Sequence, residues 1–169
     1  PVDGPQPLSV LLGDALRGYL YHHRYTTDWE TVVHAATRAV QAGGDLRSRA
    51  VTHTLTAGLF SAKDQRKLAV DHYRQAAALC QQAQWLQGQA AAVGNLGNTY
   101  IDLGELALAA EHLAQSAAIH QRLGSYGGQA VVLLHLGQLH FQLGNLDQSV
   151  GHHVEAARLF RTIGSRGGE

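Results

Sequence analysis

The chain repeats itself. Gln89, Ala90, Leu96 and Gly97 fall over Gln129, Ala130, Leu136 and Gly137 at a shift of 40 residues. The same shift sets Leu103-Gly104-Glu105-Leu106 over Leu143-Gly144-Asn145-Leu146, and Ala69-Val70-Asp71-His72 over Ala109-Ala110-Glu111-His112. Without a gap it also joins Ala36, Ala76, Ser116 and Ala156 in one column. A period of this size constrains the fold more than any other feature, because a unit so short cannot bury its apolar face alone and must stack on its neighbours. Four copies follow, at residues 9–48, 49–88, 89–128 and 129–168, after a linker at 1–8. Gly167-Gly168-Glu169 matches Gly127-Gly128-Gln129 and opens a further copy.

Each copy predicts two helices. In the third, Leu96, Tyr100 and Leu103 share one face of a first helix over about 89–102, which Gly104 stops. A second helix over about 106–122 has the stripe Leu106, Ala109, Ala110, Leu113, Ala117 and Ile119, and Gly124, Gly127 and Gly128 separate it from the next copy. Small residues recur where helices approach closely (Ala57, Gly97, Gly137; Ala69, Ala109, Ser149), with large ones in the facing columns (Leu16, Leu96, Leu136; Phe60, Tyr100; Tyr73, Leu113). No apolar alternation of period two is long enough for a sheet, so the expectation is all-α. The last helix, about 146–162, is expected to expose Val150, Val154 and Leu159, an invitation to pair with a second copy.

Composition narrows the function. Formal net charge is zero, which argues against direct nucleic-acid contact by this segment. No apolar run reaches the roughly 18–20 residues that span a bilayer, so no membrane is expected. The three prolines all lie in the first seven residues, which have neither the basic nor the apolar region of a signal peptide, and Met is absent, so the chain reads as a piece of a longer protein. Cys80 is the sole cysteine, which points to a reducing, cytoplasmic setting and to a small core residue. Among the 11 histidines, His72, His112 and His152 share a column but stand a repeat apart, about 10 Å, too far for one metal ion. No phosphate loop of the Gly-x-x-x-x-Gly-Lys type and no nucleophile elbow appears. Neither an enzyme nor a cofactor is expected.

The run Asn95-Leu96-Gly97, Tyr100, Gly104, Ala109, Leu113, Ser116 resembles the tetratricopeptide repeat signature. The fourth copy keeps Leu136-Gly137, Gly144 and Ala156 but has His140, Ser149 and His153 at three places; the first copy has Arg17 and Trp29 where small residues are usual. The resemblance covers nearly the whole chain after residue 8 and implies a right-handed superhelix, an α-solenoid of about four helix-turn-helix repeats. The 40-residue version looks like that of polarity adaptors and of peptide-sensing bacterial regulators. Leu12-Gly13-Asp14-Ala15-Leu16-Arg17-Gly18-Tyr19-Leu20, with Asp28-Trp29 and Ala42-Gly43-Gly44-Asp45, is similar to the C-terminal repeat regions of actinobacterial SARP-type and STAND regulators. That narrower resemblance implies the sensor or interaction arm of a transcriptional regulator.

In this family the first helices line a concave groove. By column that implies Thr54, Gly58 and Ala62, then Gly94, Asn95, Asn98 and Asp102, then Leu134, His135, Gln138 and Gln142. Asn98 stands where relatives hold a peptide backbone, which suits an amide that donates and accepts at once. The lysines and arginines of a carboxylate clamp are missing. A protein or peptide ligand in the groove is the leading expectation. A homodimer through Val150, Val154 and Leu159 is the alternative.

Overall fold

The computed structural model describes residues 26–166 and, before them, residues 8, 10–13, 15 and 16, which are helical. The described residues from 26 onward form seven helices: α1 Thr26–Gln41, α2 Leu46–Ala62, α3 Arg66–Gln82, α4 Leu86–Asp102, α5 Leu106–Arg122, α6 Tyr126–Gln142 and α7 Leu146–Arg166. No strand occurs among them, and none of the helices is long and apolar enough to cross a membrane. Every start lies 20 residues after the one before. The 40-residue period is therefore two units of 20, each a helix and a short turn.

One turn serves five times. After α2, the Asp64 amide donates to the Ser61 carbonyl and the Gln65 amide reaches back to Phe60, at 3.1 and 2.8 Å. After α5, Gly124 donates to Gln121 and Ser125 to His120, at 3.1 and 3.0 Å. This is the Schellman ending, which satisfies carbonyls a helix C-terminus leaves open and needs a left-handed residue at its centre. Gly104, Gly124 and Gly144 supply it at φ 77, 62 and 78°, but Asp64 and Gln84 do so at φ 63 and 53°. The second copy thus turns without the glycine that marks the other turns in the sequence. Two entries are capped from side chains: Asp45 accepts from the Ser48 amide at 2.7 Å, and the Ser125 hydroxyl accepts from the Gly128 amide at 3.3 Å.

These boundaries correct part of the sequence reading. First helices begin at 86 and 126, three residues before the columns place them. Gly127 and Gly128 lie inside the first turn of α6 rather than between copies. The break is made by Gly124, and Gly128 has another purpose: a Cβ there would stand 2.0 Å from His120 Nδ1, so the His120 ring occupies the room a side chain would need. Ala110, expected in the buried stripe of α5, is exposed; Ser116 and His120 are buried instead.

The chain divides into two compact units, Pro1–Ala92 and Val93–Glu169, with α4 running through the division. In the first, Ala36, Val51 and Leu55 pack with Val10, Val33, Val40 and Trp85, and Ala50, Leu79 and Cys80 pack with Leu46 and also with Trp85. Trp29 is wholly buried beside Leu59, and its indole fills the space over Gly58, where a Cβ would meet Cζ2 at 2.6 Å. In the second unit the small columns let helices close up. A Cβ on Gly97 would stand 2.9 Å from Leu113 Cγ, and one on Gly137 would stand 2.7 Å from the His153 ring. Leu113 and Leu96 are buried there; each such side chain contributes about 1.5–3 kcal/mol.

Candidate partner-binding face

The six residues expected to meet a ligand all lie in the second unit, on α4 and α6. Asn95, Asn98 and Asp102 follow one another at intervals of three and four, as do His135, Gln138 and Gln142. That spacing keeps each triad on one face of its helix. The two rows meet where the Gln138 amide donates to Asp102 Oδ1 across a long 3.5 Å hydrogen bond. Asp102 and Gln142 are exposed, while Asn95, Asn98, His135 and Gln138 are half-buried. Val131 and Leu134, at helical spacing from His135 and Gln138, are exposed beside them. The face therefore offers amides, two apolar side chains and one carboxylate.

Two polar atoms on these rows are shielded and unpartnered among the described residues: Asn98 Oδ1 and His135 Nε2. An unpaired buried acceptor costs about 1–3 kcal/mol, so both carry capacity for a hydrogen bond the chain itself does not use. Burial pushes the His135 imidazole down to about 4, so it is neutral at ordinary pH, with one nitrogen that donates and one that accepts. Asp102 is then the only formal charge in the two rows.

Two groove positions taken from the columns do not belong to this face. Gly94 is buried against α5, where Ser116 Oγ would stand 2.9 Å from a Cβ. Gly58 lies under Trp29, while Thr54 and Ala62 are half-buried. Their shared cause is that a glycine in a first helix lets a side chain from a neighbouring helix close over it, and so faces inward.

The expected exposed stripe on α7 is also corrected in part. Val150 and Val154 are 62% and 59% exposed, but Leu159 is 8% exposed and belongs to the core. One residue is about 100° of helix, and it is the next residue, Phe160, that is exposed.

The histidine column has a structural role the sequence did not show. His72 lies against Phe60, His112 against Tyr100 and His152 against His140, at ring separations of 5.3, 5.4 and 5.1 Å. Each pair joins the two helices of one hairpin. The signal was present as two columns, 60/100/140 and 72/112/152, separated by 12 residues in the second, third and fourth copies. In the first unit His53 joins its pair, Nδ1 to Nδ1 of His72 at 2.9 Å, and burial holds both imidazoles below their ordinary range. Among the described residues no group of three or more His, Cys, Asp or Glu is placed to hold a metal ion. Cys80 is buried and its thiol is pushed up to about 11 by that burial, which leaves it protonated and inert as a nucleophile.

Residues 88–162 match the family model of the tetratricopeptide repeat. That stretch is similar to the tetratricopeptide repeat, over less than half of the chain. It contains both rows of the face, most of α4, and α5 and α6 entire. Among solved structures, BtubC (BKLC) from P. vanneervenii is similar at TM-score 0.70 and 18% identity, over 87% of this chain and 60% of that one. Aspartyl phosphate phosphatase F from Bacillus subtilis is similar at TM-score 0.75 and 14% identity, over 96% of this chain and 43% of that one. The chain thus spans less than two thirds of either protein, and the likeness is one of fold. No curated protein matches it in sequence. The fold is all-α, a tetratricopeptide-type helical repeat, an architecture that generally serves as a scaffold for protein interactions.

Proposed function

We propose that this chain is a non-catalytic binding scaffold whose ligand is an extended peptide or a peptide-like segment of a protein, held on the α4–α6 face. The observation that carries the proposal is the pair of parallel rows on adjacent first helices, joined through Gln138 and Asp102, with Asn98 Oδ1 and His135 Nε2 left unpartnered. Amides at that spacing suit a main chain, which presents alternating donors and acceptors. Val131 and Leu134 suit apolar side chains, and Asp102 suits a basic group or a free amine. No cation stands in the two rows to take a carboxylate terminus. At the finer level, the chain is the cytoplasmic sensor or interaction arm of a bacterial transcriptional regulator of the actinobacterial SARP or STAND kind. The support for that is the resemblance around Leu12–Leu20, Asp28-Trp29 and Ala42–Asp45.

The test is to pan a random peptide library on the chain and measure a selected peptide by calorimetry against wild type and Asn98→Ala. Loss of two or more backbone hydrogen bonds should weaken binding about tenfold, from ~1.4 kcal/mol. Selected peptides that bind Asn98→Ala and Leu134→Asp as tightly as wild type would remove this face from consideration.

A further inference from the structure

In the second, third and fourth copies a histidine of the second helix (His72, His112, His152) lies against a ring of the first (Phe60, Tyr100, His140). The second copy alone adds a further imidazole to that contact from the column of His53, which holds Val93 in the third copy and Leu133 in the fourth. His53 on α2 and His72 on α3 are both half-buried, and they meet Nδ1 to Nδ1 at 2.9 Å with their ring planes tilted by 37°. Two bare nitrogens at that distance would set lone pair against lone pair, and two protonated ones hydrogen against hydrogen. The contact therefore holds one proton between the rings.

In the neutral pair one ring donates from Nδ1 and has a bare Nε2, and the other accepts at Nδ1 and carries its own proton on Nε2. An added proton can go to the bare Nε2 without touching the bond between the rings. The surrounding charges decide which ring then carries it. Arg49, one turn before His53 on α2, disfavours a positive charge on His53, and Asp71, beside His72 on α3, favours one on His72. Those are the described charges that act on the pair; α1, which packs on α2, adds none. The singly charged pair is thus a His72 imidazolium donating from Nδ1 to neutral His53, a bond strengthened by its charge. A second added proton has one place left, the accepting Nδ1 of His53. There it sets N–H against N–H and cation against cation across α2 and α3.

We propose that His53 and His72 are a proton-operated latch on the α2–α3 hairpin, closed by the one proton shared between their Nδ1 atoms, kept through a first protonation on His72 and released by a second on His53. The two rings titrate as a coupled pair, in two separated steps. Burial holds both imidazoles below their ordinary 6.5. The closed pair therefore contributes its full stability above 6.5 and loses it as the pH falls through the lowered folded values. The third copy, with Val93 in place of a second imidazole, has no such latch. The latch shares no residue with the ligand face and does not rest on that reading.

NMR of the histidine-labelled chain tests it, reading the ring nitrogens of His53 and His72 from pH 8 to pH 4. At pH 8 the expected result is two different tautomers, one ring protonated at Nδ1 and the other at Nε2. On acidification His72 should charge first while His53 Nδ1 stays an acceptor, and His53 should charge in a separate, lower step. Two rings with the same tautomer at pH 8, or His53 charging before His72, would overturn the proposal in wild type alone. Amide hydrogen exchange then reads the hairpin, in wild type and in His53→Val, which takes the residue of the third copy's column. Between pH 7 and pH 4, protection in α2 and α3 should fall about tenfold further in wild type than in the variant, the equivalent of one pKa unit. An equal fall in both would show that the pair does not hold the hairpin.

Discussion

α5 and α7 are two copies of one helix with different fates. Both start at the same phase, both carry a buried small residue opposite a first helix (Ala109 and Ser149), and both bury the next small column (Ser116 and Ala156). Beyond that they diverge. Leu113 is wholly buried where His153 is exposed, and His120 is buried where Phe160 is 42% exposed. The difference teaches that in a repeat fold a helix has one face set by its own hairpin and a second set by whatever comes next. Only the first is a property of the helix's own column.

The largest effect should come from the column that changes most. Leu113→Ala removes a side chain packed over Gly97 and should cost about 2–5 kcal/mol in chemical denaturation, whereas His153→Ala, in the same column, should stay within ~0.5 kcal/mol. Equal costs would mean that the two helices are covered alike.

Acid should act on the same contrast. His135 on α6 is held down at about 4 by burial, below the ordinary value of 6.5, and His120 on α5 is also lowered by burial. A histidine whose folded value is depressed contributes its full stability above the unfolded value, and that contribution is lost as pH falls through 6.5 toward 4. The upper bound for His135 is about 3 kcal/mol. Denaturation between pH 7 and 4 should show stability falling with pH, and His135→Gln should flatten that slope. A slope of the opposite sign would contradict the burial of His135.

Smaller effects separate two glycines. Gly128→Ala forces a methyl into the His120 ring and should cost about 1–3 kcal/mol despite the gain in helix propensity. At Gly164 in α7 nothing lies within 4 Å of a Cβ, so Gly164→Ala should stabilise by at most ~1 kcal/mol. Thermal melts of the two variants should move in opposite directions.

The all-α repeat, the bounds of α5 and the small columns were legible in the sequence, because a 40-residue shift shows them without any knowledge of neighbours. The bounds of the first helices were less so. Gly127 and Gly128 look like punctuation, but Gly124 already makes the turn and Gly128 admits the His120 ring. Asp64 and Gln84 adopt the left-handed turn with no glycine to announce it. At the candidate face, the two triads came by column from the family resemblance, and in the structure a hydrogen bond from Gln138 to Asp102 joins them. Gly94 and Gly58 were misread because a column says which helix a residue is on, not whether a neighbour's Ser116 or Trp29 fills the space above it. Leu159 was misplaced for a related reason: one residue along a helix is enough to exchange core for surface.

The most direct measurement is a titration of the isotope-labelled chain with a library-selected peptide, following side-chain and backbone amide resonances by NMR. The expected result is movement of the Asn95, Asn98, Gln138 and Gln142 side-chain amides, with the backbone of α4 and α6 following and the Trp29 indole unmoved. Perturbation centred on α7, with those four side-chain amides unchanged, would contradict the assignment of the α4–α6 face as the place where a partner is held.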